Sequence, residues 1–177
     1  MRDATLEITS LGEPAFVLGK TPPVKPRPYV RFHENVTGGA PMTVGRENPT
    51  SASSEAPGHS GRAVNDGNPE TFWQSAVGGR DEWIMVDLER VVLFRQTKLL
   101  FPSEGNWRYK IEVADARDGG WRLFTDQTET ASTTKARMDE APGNSISGRF
   151  LRVTITGTPT GWLAALSEIE ATGIPLP

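Results

Sequence analysis

The sequence predicts an all-β protein, an antiparallel sandwich built from about eight short strands. Its 177 residues include 18 glycines and 14 prolines, which interrupt the chain too often for long helices. Five tryptophans stand against two tyrosines and two histidines, and no segment carries the apolar repeat of a long amphipathic helix. Short alternating segments separated by turn residues are typical of a β-sandwich instead.

Seven segments carry the strand pattern. The strongest is 83–88, where two mostly apolar faces alternate as expected of a central strand. In 109–113 and 149–155 apolar and polar residues alternate, so each segment has one buried face. The other predicted strands are 50–54, 96–101, 121–124 and 166–171. Three tryptophans lie inside or at the edge of strands and are assigned to the core: Trp73, Trp83 and Trp121.

Bulk composition excludes several classes of protein. A net charge of −3 with mixed signs leaves no basic footprint for nucleic acid. The absence of cysteine excludes a disulfide framework and thiol catalysis. Apolar runs such as 91–94 are too short to span a membrane, and the first residues show no signal peptide. We therefore expect one domain with an appendage, as part of a larger exported chain.

The first 47 residues differ from the rest. The proline-rich stretch 22–28 cannot enter the interior of a sheet and is typical of a stiff, extended linker. We interpret residues 1–47 as a connector or a fragment of a preceding domain, and residues 48–177 as the sandwich. Disorder is the alternative for the N-terminal part.

One turn organises the sandwich, the segment AVNDGNPETFW at 63–73. Within a few residues this segment contains a carboxylate, amides, a glycine, a proline and a threonine, which are typical of a turn. Two aromatic rings follow and attach the turn to the core. Oxygen ligands of this kind suit Ca²⁺. The alternative is a tight loop in which Asp66 only caps its own backbone.

Several dispersed motifs then occur in a recognisable order. These are SASS, AVNDGNPETFW, WIMVDL, YKIEVADARDGGW, GRFLRVTI and LSEIEATG. The order resembles the discoidin, or coagulation-factor type C, domain over about residues 48–173. Among bacterial versions it is most similar to the family 32 carbohydrate-binding modules. The resemblance implies a jelly-roll-like sandwich of the galactose-binding-domain type.

The resemblance also implies a structural Ca²⁺ beside the turn. Asp66 and Glu168 would supply side-chain oxygens, and Thr71 would supply both its hydroxyl and its carbonyl. Backbone carbonyls would come from Ala63, Asn68 and Ser167. Such a site would tie the first turn to the last strand. Na⁺ is an alternative ion, and the alternative for Glu168 is an ion pair with a surface arginine.

The resemblance places sugar on loops at one end of the sandwich, where an aromatic ring stacks on the pyranose and planar donors bind its hydroxyls. Trp162, before the last strand, is the first candidate for the stacking ring, although it could instead cap the core. The remaining candidates are Trp107, His59, Asn106, Arg80 and Arg108. The loop that carries Trp107 is shorter than in relatives, which weakens the comparison there.

The implied function is a non-catalytic module that anchors a larger glycan-active enzyme to its substrate, with a galactose-type sugar by default. The implied protein is monomeric, bacterial, and secreted or held at the cell surface. A protein- or membrane-binding discoidin domain and a spacer without ligand are the alternatives, although net acidity disfavours anionic lipid. Intrinsic catalysis is not expected, because the pairs Asp81–Glu82 and Asp139–Glu140 are predicted in polar loops without an apolar pocket.

Overall fold

The computed structural model describes residues 42–79, 81–144 and 146–177, and this part of the chain confirms the predicted all-β class. It contains ten strands and two short 3-10 turns, at Gly61–Asn65 and Pro142–Asn144. The strands are β1 Met42–Val44, β2 Thr50–Ala52, β3 Trp73–Gln74, β4 Glu82–Leu100, β5 Arg108–Ala114, β6 Arg122–Asp126, β7 Ala136–Glu140, β8 Ser147–Gly157, β9 Ala165–Leu166 and β10 Glu168–Pro175.

The long strand β4 belongs to both layers of the sandwich. Its first half pairs with β2 and β8, and its second half pairs with β10 and β7. The register of β4 against β8 shifts between Asp87 and Val92, and Glu89 adopts a left-handed φ of 58° there. The carboxylate of Asp87 accepts a hydrogen bond of 2.8 Å from the Glu89 N–H. The chain therefore bends without a turn, and the two strands predicted at 83–88 and 96–101 are one.

The first layer contains β2, the first half of β4, β8, β5 and β6, and the second contains the second half of β4, β10, β7 and β1. Strand β8 pairs with β5, and β5 pairs with β6. Strand β10 pairs with β1, and β3 forms a separate short ribbon with β9. Every pairing among these strands is antiparallel, as the sequence predicts.

The core lies between the two layers and follows the predicted alternation. The first layer contributes apolar residues such as Ile84, Ile111 and Val153, and the second contributes Phe94 and Leu99, all of them fully buried. Each such side chain stabilises the fold by roughly 1.5–3 kcal/mol relative to an exposed one.

Only part of the predicted tryptophan core is correct. Trp73 is fully buried and its Nε1 donates to the carbonyl of Ser54 at 2.9 Å. Trp83 and Trp121 are only half-buried. Trp83 precedes Ile84, whose side chain enters the core, so Trp83 faces the opposite side of the sheet.

The N-terminal boundary stays a prediction. The predicted early strands and the proline-rich linker lie in residues 1–41, outside the described part of the chain. Met42–Val44, which the sequence places in the connector, pairs with the last strand through Val44 and Ala171. Within the described ranges, no helix has the length and apolar character needed to cross a membrane.

A polar network is buried between the layers at Asp139. The sequence places Asp139 in a polar loop, but it lies in β7 and is 5% exposed. Its carboxylate accepts hydrogen bonds of 2.8 Å from the hydroxyl of Tyr109 and from the side-chain amide of Gln127. Burial, and then the charge of Asp139, raise the pKa of Tyr109 far above its usual value, so the phenol stays protonated. Asp139 therefore has a structural role.

We expect Asp139→Ala to lower the free energy of unfolding by about 2–3 kcal/mol, because it leaves the buried hydroxyl of Tyr109 and the half-buried amide of Gln127 without their acceptor. Urea denaturation measures the change through the transition midpoint. Met138→Ala is the matched control, since Met138 is the preceding residue of β7 and is 65% exposed, and its effect should stay within about 0.5 kcal/mol. Equal losses in the two variants would contradict the buried network.

Candidate functional site

The turn that follows the first 3-10 element is built around Asp66. One oxygen of its carboxylate accepts a hydrogen bond of 2.7 Å from the N–H of Asn68, which closes an Asx-turn. The other oxygen accepts a hydrogen bond of 2.9 Å from the hydroxyl of Thr71. Gly67 between them has a φ of 76°, the left-handed conformation that glycine adopts at little cost. Asp66 therefore caps its own backbone, and its side chain also holds Thr71.

Glu168, at the start of β10, lies against this turn. It is 8% exposed, and β10 reaches this position by pairing with the end of β4, where Glu168 faces Leu100. Burial first, and then the negative charge of Asp66, raise the pKa of Glu168 to about 7. The first turn and the last strand thus bring two carboxylates together.

Several of the other predicted metal ligands lie beside this pair. The hydroxyl oxygen of Thr71 also lies 2.9 Å from the carbonyl oxygen of Asn68, so its one proton is shared between two acceptors. Ala63 lines the same surface depression as Asp66. The hydroxyl of Ser167 is buried and makes no hydrogen bond within the described residues. No cluster of three or more histidine or acidic side chains occurs there. The predicted ligand set therefore carries two negative charges and is otherwise made of neutral oxygens.

The chemistry of this corner fits a hard cation. Oε1 of Glu168 is buried without a hydrogen-bond partner in the described part of the chain, and a carboxylate beside it raises its pKa. Two adjacent carboxylates with neutral oxygens match the preference of Ca²⁺. Arg46 donates to the carbonyl of Asp66 at 3.2 Å. Its positive charge lowers the pKa of Glu168, but by less than burial and Asp66 raise it. Glu168 forms no ion pair with a described residue. The metal assignment stays a prediction.

Three half-buried rings form a second feature, which we call the aromatic ridge: His59, Phe72 and Trp162. The His59 and Phe72 rings stack with centroids 4.2 Å apart, and Phe72 meets Trp162 edge-on at 5.9 Å. His59 and Trp162 are predicted sugar contacts, and the structure brings them to one surface. Phe72 links them and was expected only to attach the turn to the core.

A depression of about 360 Å³ lies beside the ridge. His59 and Phe72 form its apolar wall, and Arg62, Glu70 and Thr71 supply polar groups. Arg62 and Glu70 are exposed. Sequence reasoning missed Phe72, Arg62 and Glu70, although all three lie within or next to the segment that it singled out.

Trp107 is a correction to the predicted site. Its indole is fully buried and stacks on Phe101, with ring centroids 5.0 Å apart and an interplanar angle of 8°. Its Nε1 donates to the carbonyl of Ser103 at 3.0 Å. The Trp162 ring meets the Trp107 ring edge-on, with centroids 5.7 Å apart. Trp107 therefore has no face to offer a ligand, and Trp162 both caps the core and lies at the surface.

Two of the other predicted sugar contacts, Asn106 and Arg108, do not line the depression. Asn106 is half-buried and its Oδ1 makes no hydrogen bond within the described ranges. Arg108 is exposed at the start of β5, where its stem lies close to Gly157. Arg80 lies outside the described residues. Neither Asn106 nor Arg108 lines the surface beside the ridge.

The sequence profile of the F5/8 type C domain matches residues 49–169. The chain belongs to this family. The match begins just before β2 and ends in β10, so it contains both the Asp66 turn and Glu168. A search of curated proteins finds no match to this F5/8 type C domain.

Several bacterial carbohydrate-binding modules are among the solved structures with the same fold. A family 32 module of a family 89 enzyme from Clostridium perfringens, solved with GlcNAc-α-1,4-galactose, is 23% identical with a TM-score of 0.64, covering 75% of this chain and 94% of the module. A chitosan-binding module from Paenibacillus sp. IK-5, solved with chitotriose, is 24% identical with a TM-score of 0.62, covering 72% and 97%.

A third module, the family 32 domain of NanJ from Clostridium perfringens in complex with galactose, is 17% identical with a TM-score of 0.62 and covers 75% of this chain and 99% of that one. At these identities the comparisons establish the jelly-roll fold of this F5/8 type C domain.

In metal-free protein we expect the free energy of unfolding to fall by roughly 1–2 kcal/mol as pH rises from 4.5 to about 7. The unfolded Glu168 releases its proton near the ordinary value, whereas the folded one retains it up to about 7, so folding is favoured on the acid side. Chemical denaturation with chelator at several pH values measures this.

Glu168→Gln should flatten the profile across this window. Glu170→Gln, an exposed neighbour on β10 that pairs with Lys98 at 3.4 Å, is the control and should keep the wild-type slope. A Glu168→Gln profile parallel to that of the wild type would show that Glu168 does not titrate as described.

Proposed function

We propose that this domain is a non-catalytic carbohydrate-binding module that holds a larger glycan-active enzyme on its substrate. The observation that carries the proposal is the aromatic ridge of His59, Phe72 and Trp162 beside a shallow polar depression. The bacterial modules with the same fold were solved with sugars, which supports this interpretation. A parent catalytic domain is the proposed partner, with the assembly secreted or held at the cell surface.

The ridge supplies the two kinds of contact that a sugar needs. The C–H face of a pyranose packs on an aromatic ring, and its hydroxyls take hydrogen bonds from planar polar groups. Nδ1 of His59 lies 3.2 Å from the carbonyl of Phe72, which can only accept, so Nδ1 carries the proton. Nε2 of His59 is then an acceptor for a sugar hydroxyl, with Arg62 and Glu70 as further partners.

The size of the depression favours a short ligand. Its 360 Å³ lies near the lower end of the roughly 300–1,000 Å³ typical of small-molecule sites. We therefore propose recognition of one or two sugar residues, with a galactose-type sugar as the first to test. Binding of this kind raises the local concentration of substrate for a tethered catalytic domain.

We expect Phe72→Ala and Trp162→Ala each to weaken binding of a cognate sugar by about tenfold or more, because each removes a ring from a small contact surface. Titration calorimetry with galactose, arabinose, rhamnose and chito-oligosaccharides measures the change. Leu123→Ala on β6, at an exposed apolar position, is the control. Undiminished affinity in both ring variants would exclude the ridge, and no binding of any glycan would favour the protein-binding or spacer alternative.

We further propose that the Asp66–Glu168 corner holds a structural Ca²⁺. The ligands would be Ala63, Asp66, Asn68, Thr71, Ser167 and Glu168. The cation would offset the repulsion between the two carboxylates and bind the turn to β10. An ion that binds only the folded chain stabilises it by mass action.

We expect chelation at pH 7 to lower the melting temperature, and Ca²⁺ added in a Na⁺ buffer to restore it. Asp66→Asn should lower the melting temperature of the untreated protein and abolish the response to chelator. Asp118→Asn, an exposed carboxylate in another loop, should respond as the wild type does. A melting temperature that ignores both chelator and added Ca²⁺ would argue against the metal.

A further inference from the structure

A second cavity lies on the outer face of the first layer, away from the aromatic ridge. We call it the outer groove, and its volume is about 210 Å³. Its lining residues are Trp83, Met85, Arg117, Asp118, Trp121 and Arg152. Neither the predicted sugar site nor the metal corner includes any of them.

The sheet register sets the floor of the outer groove. Met85 of β4 faces Arg152 of β8, and Arg152 faces Glu112 of β5. Trp83 lies on the same face of β4, two residues before Met85. Apolar and charged side chains thus form a continuous row across three strands, on the face that does not enter the core.

The loop between β5 and β6 forms the wall. A backbone bridge between Ala116 and Gly119 closes this loop. From the loop, the side chain of Arg117 reaches the edge strand β2 and donates a hydrogen bond of 3.0 Å to the hydroxyl of Ser51. Met85 beneath this loop is only 3% exposed. The loop therefore converts an open sheet face into a recess with two indoles at its margins.

The two arginines of the outer groove differ in their ion pairs. Arg152 binds Glu112 at 2.9 Å, and Lys110 lies 3.5 Å from the same carboxylate. Arg117 forms no ion pair with a described residue, although its charge lowers the pKa of Asp87. The lining therefore carries two arginines against Asp118 at the rim, and because Glu112 pairs with Arg152, Arg117 is the arginine of the groove that has no ion-pair partner among the described residues.

The guanidinium of Arg152 is held in place by the ring next to it. Its central carbon lies 3.9 Å from the centroid of the Trp121 ring, a cation–π contact. Its Nε is buried and donates to no described residue. A ligand for this recess therefore needs an apolar face for the indole of Trp83, acceptor oxygens and a negative charge.

We propose that the outer groove is a second glycan site, specific for a carboxylated pyranose such as a hexuronic acid residue. The C–H face of the sugar packs on Trp83, and its carboxylate binds Arg117, whose fork of N–H donors matches carboxylate geometry. The volume lies below the roughly 300–1,000 Å³ of pockets that enclose drug-sized ligands, which suits a single sugar ring. A neutral hexose lacks the group that Arg117 selects.

Galacturonate and galactose form a matched pair of probes, because they differ only in the carboxylate at C6. We titrate each into the full chain and follow the indole N–H signals by nuclear magnetic resonance, with calorimetry for affinity. Galacturonate should shift the Trp83 signal, and galactose should leave it unchanged. Added NaCl should weaken the galacturonate interaction, because it depends on an exposed charge.

Two variants separate this proposal from the aromatic ridge. Arg117→Met, at an exposed position, keeps most of the apolar stem and should weaken galacturonate binding about tenfold or more while leaving any galactose binding intact. Trp162→Ala should weaken any galactose binding and leave galacturonate binding intact. Thermal melts of both variants confirm that they are folded.

Three results would overturn the second site. Galacturonate could fail to bind the wild type, it could bind Arg117→Met as well as the wild type, or Trp162→Ala could abolish its binding. The last result would place galacturonate on the ridge and leave the first proposal standing, so the two proposals fail separately.

Discussion

The contact between Asp66 and Glu168 holds the first turn against the start of the last strand. These residues are about a hundred positions apart, and they meet because β10 pairs with the end of β4 beside the first turn. Two carboxylates at a partly buried site repel each other and lose hydration, so their proximity is unfavourable unless a proton or a cation offsets it. The raised pKa of Glu168 reflects this cost, and the proposed cation would offset it.

The same turn serves the aromatic ridge. Thr71, whose hydroxyl binds Asp66, is followed at once by Phe72, the central ring of the ridge. Trp73 then inserts into the core and begins β3. Three consecutive residues thus join the carboxylate corner, the ridge and the core. The proposed cation site and the proposed sugar site therefore use neighbouring residues of one turn.

The five tryptophans occupy three environments, and these environments give them different roles. Trp73 and Trp107 are fully buried in the core, whereas Trp162 covers Trp107 from the surface. Trp83 and Trp121 lie on the outer face of the first layer, beside charged groups. A high tryptophan content is thus consistent with a sugar-binding protein, but the ring faces available to ligand are set by packing.

Local patterns in the sequence were enough to determine the all-β fold class and the position of the Asp66 turn. The two-residue alternation of 149–155 depends only on which side of the strand each residue faces, and the Asp66 turn depends on side chains that bond to their own backbone. The sequence predicts two strands where the structure has the single strand β4, because a register shift within a strand, unlike a turn, has no clear residue signature.

The burial of Trp107 and the position of Phe72, Arg62 and Glu70 were decided only by the tertiary structure. Exposure depends on which loops pack against each other, and those contacts join residues that are distant in the chain. The outer groove has the same origin, since it exists only where the loop carrying Arg117 crosses to Ser51.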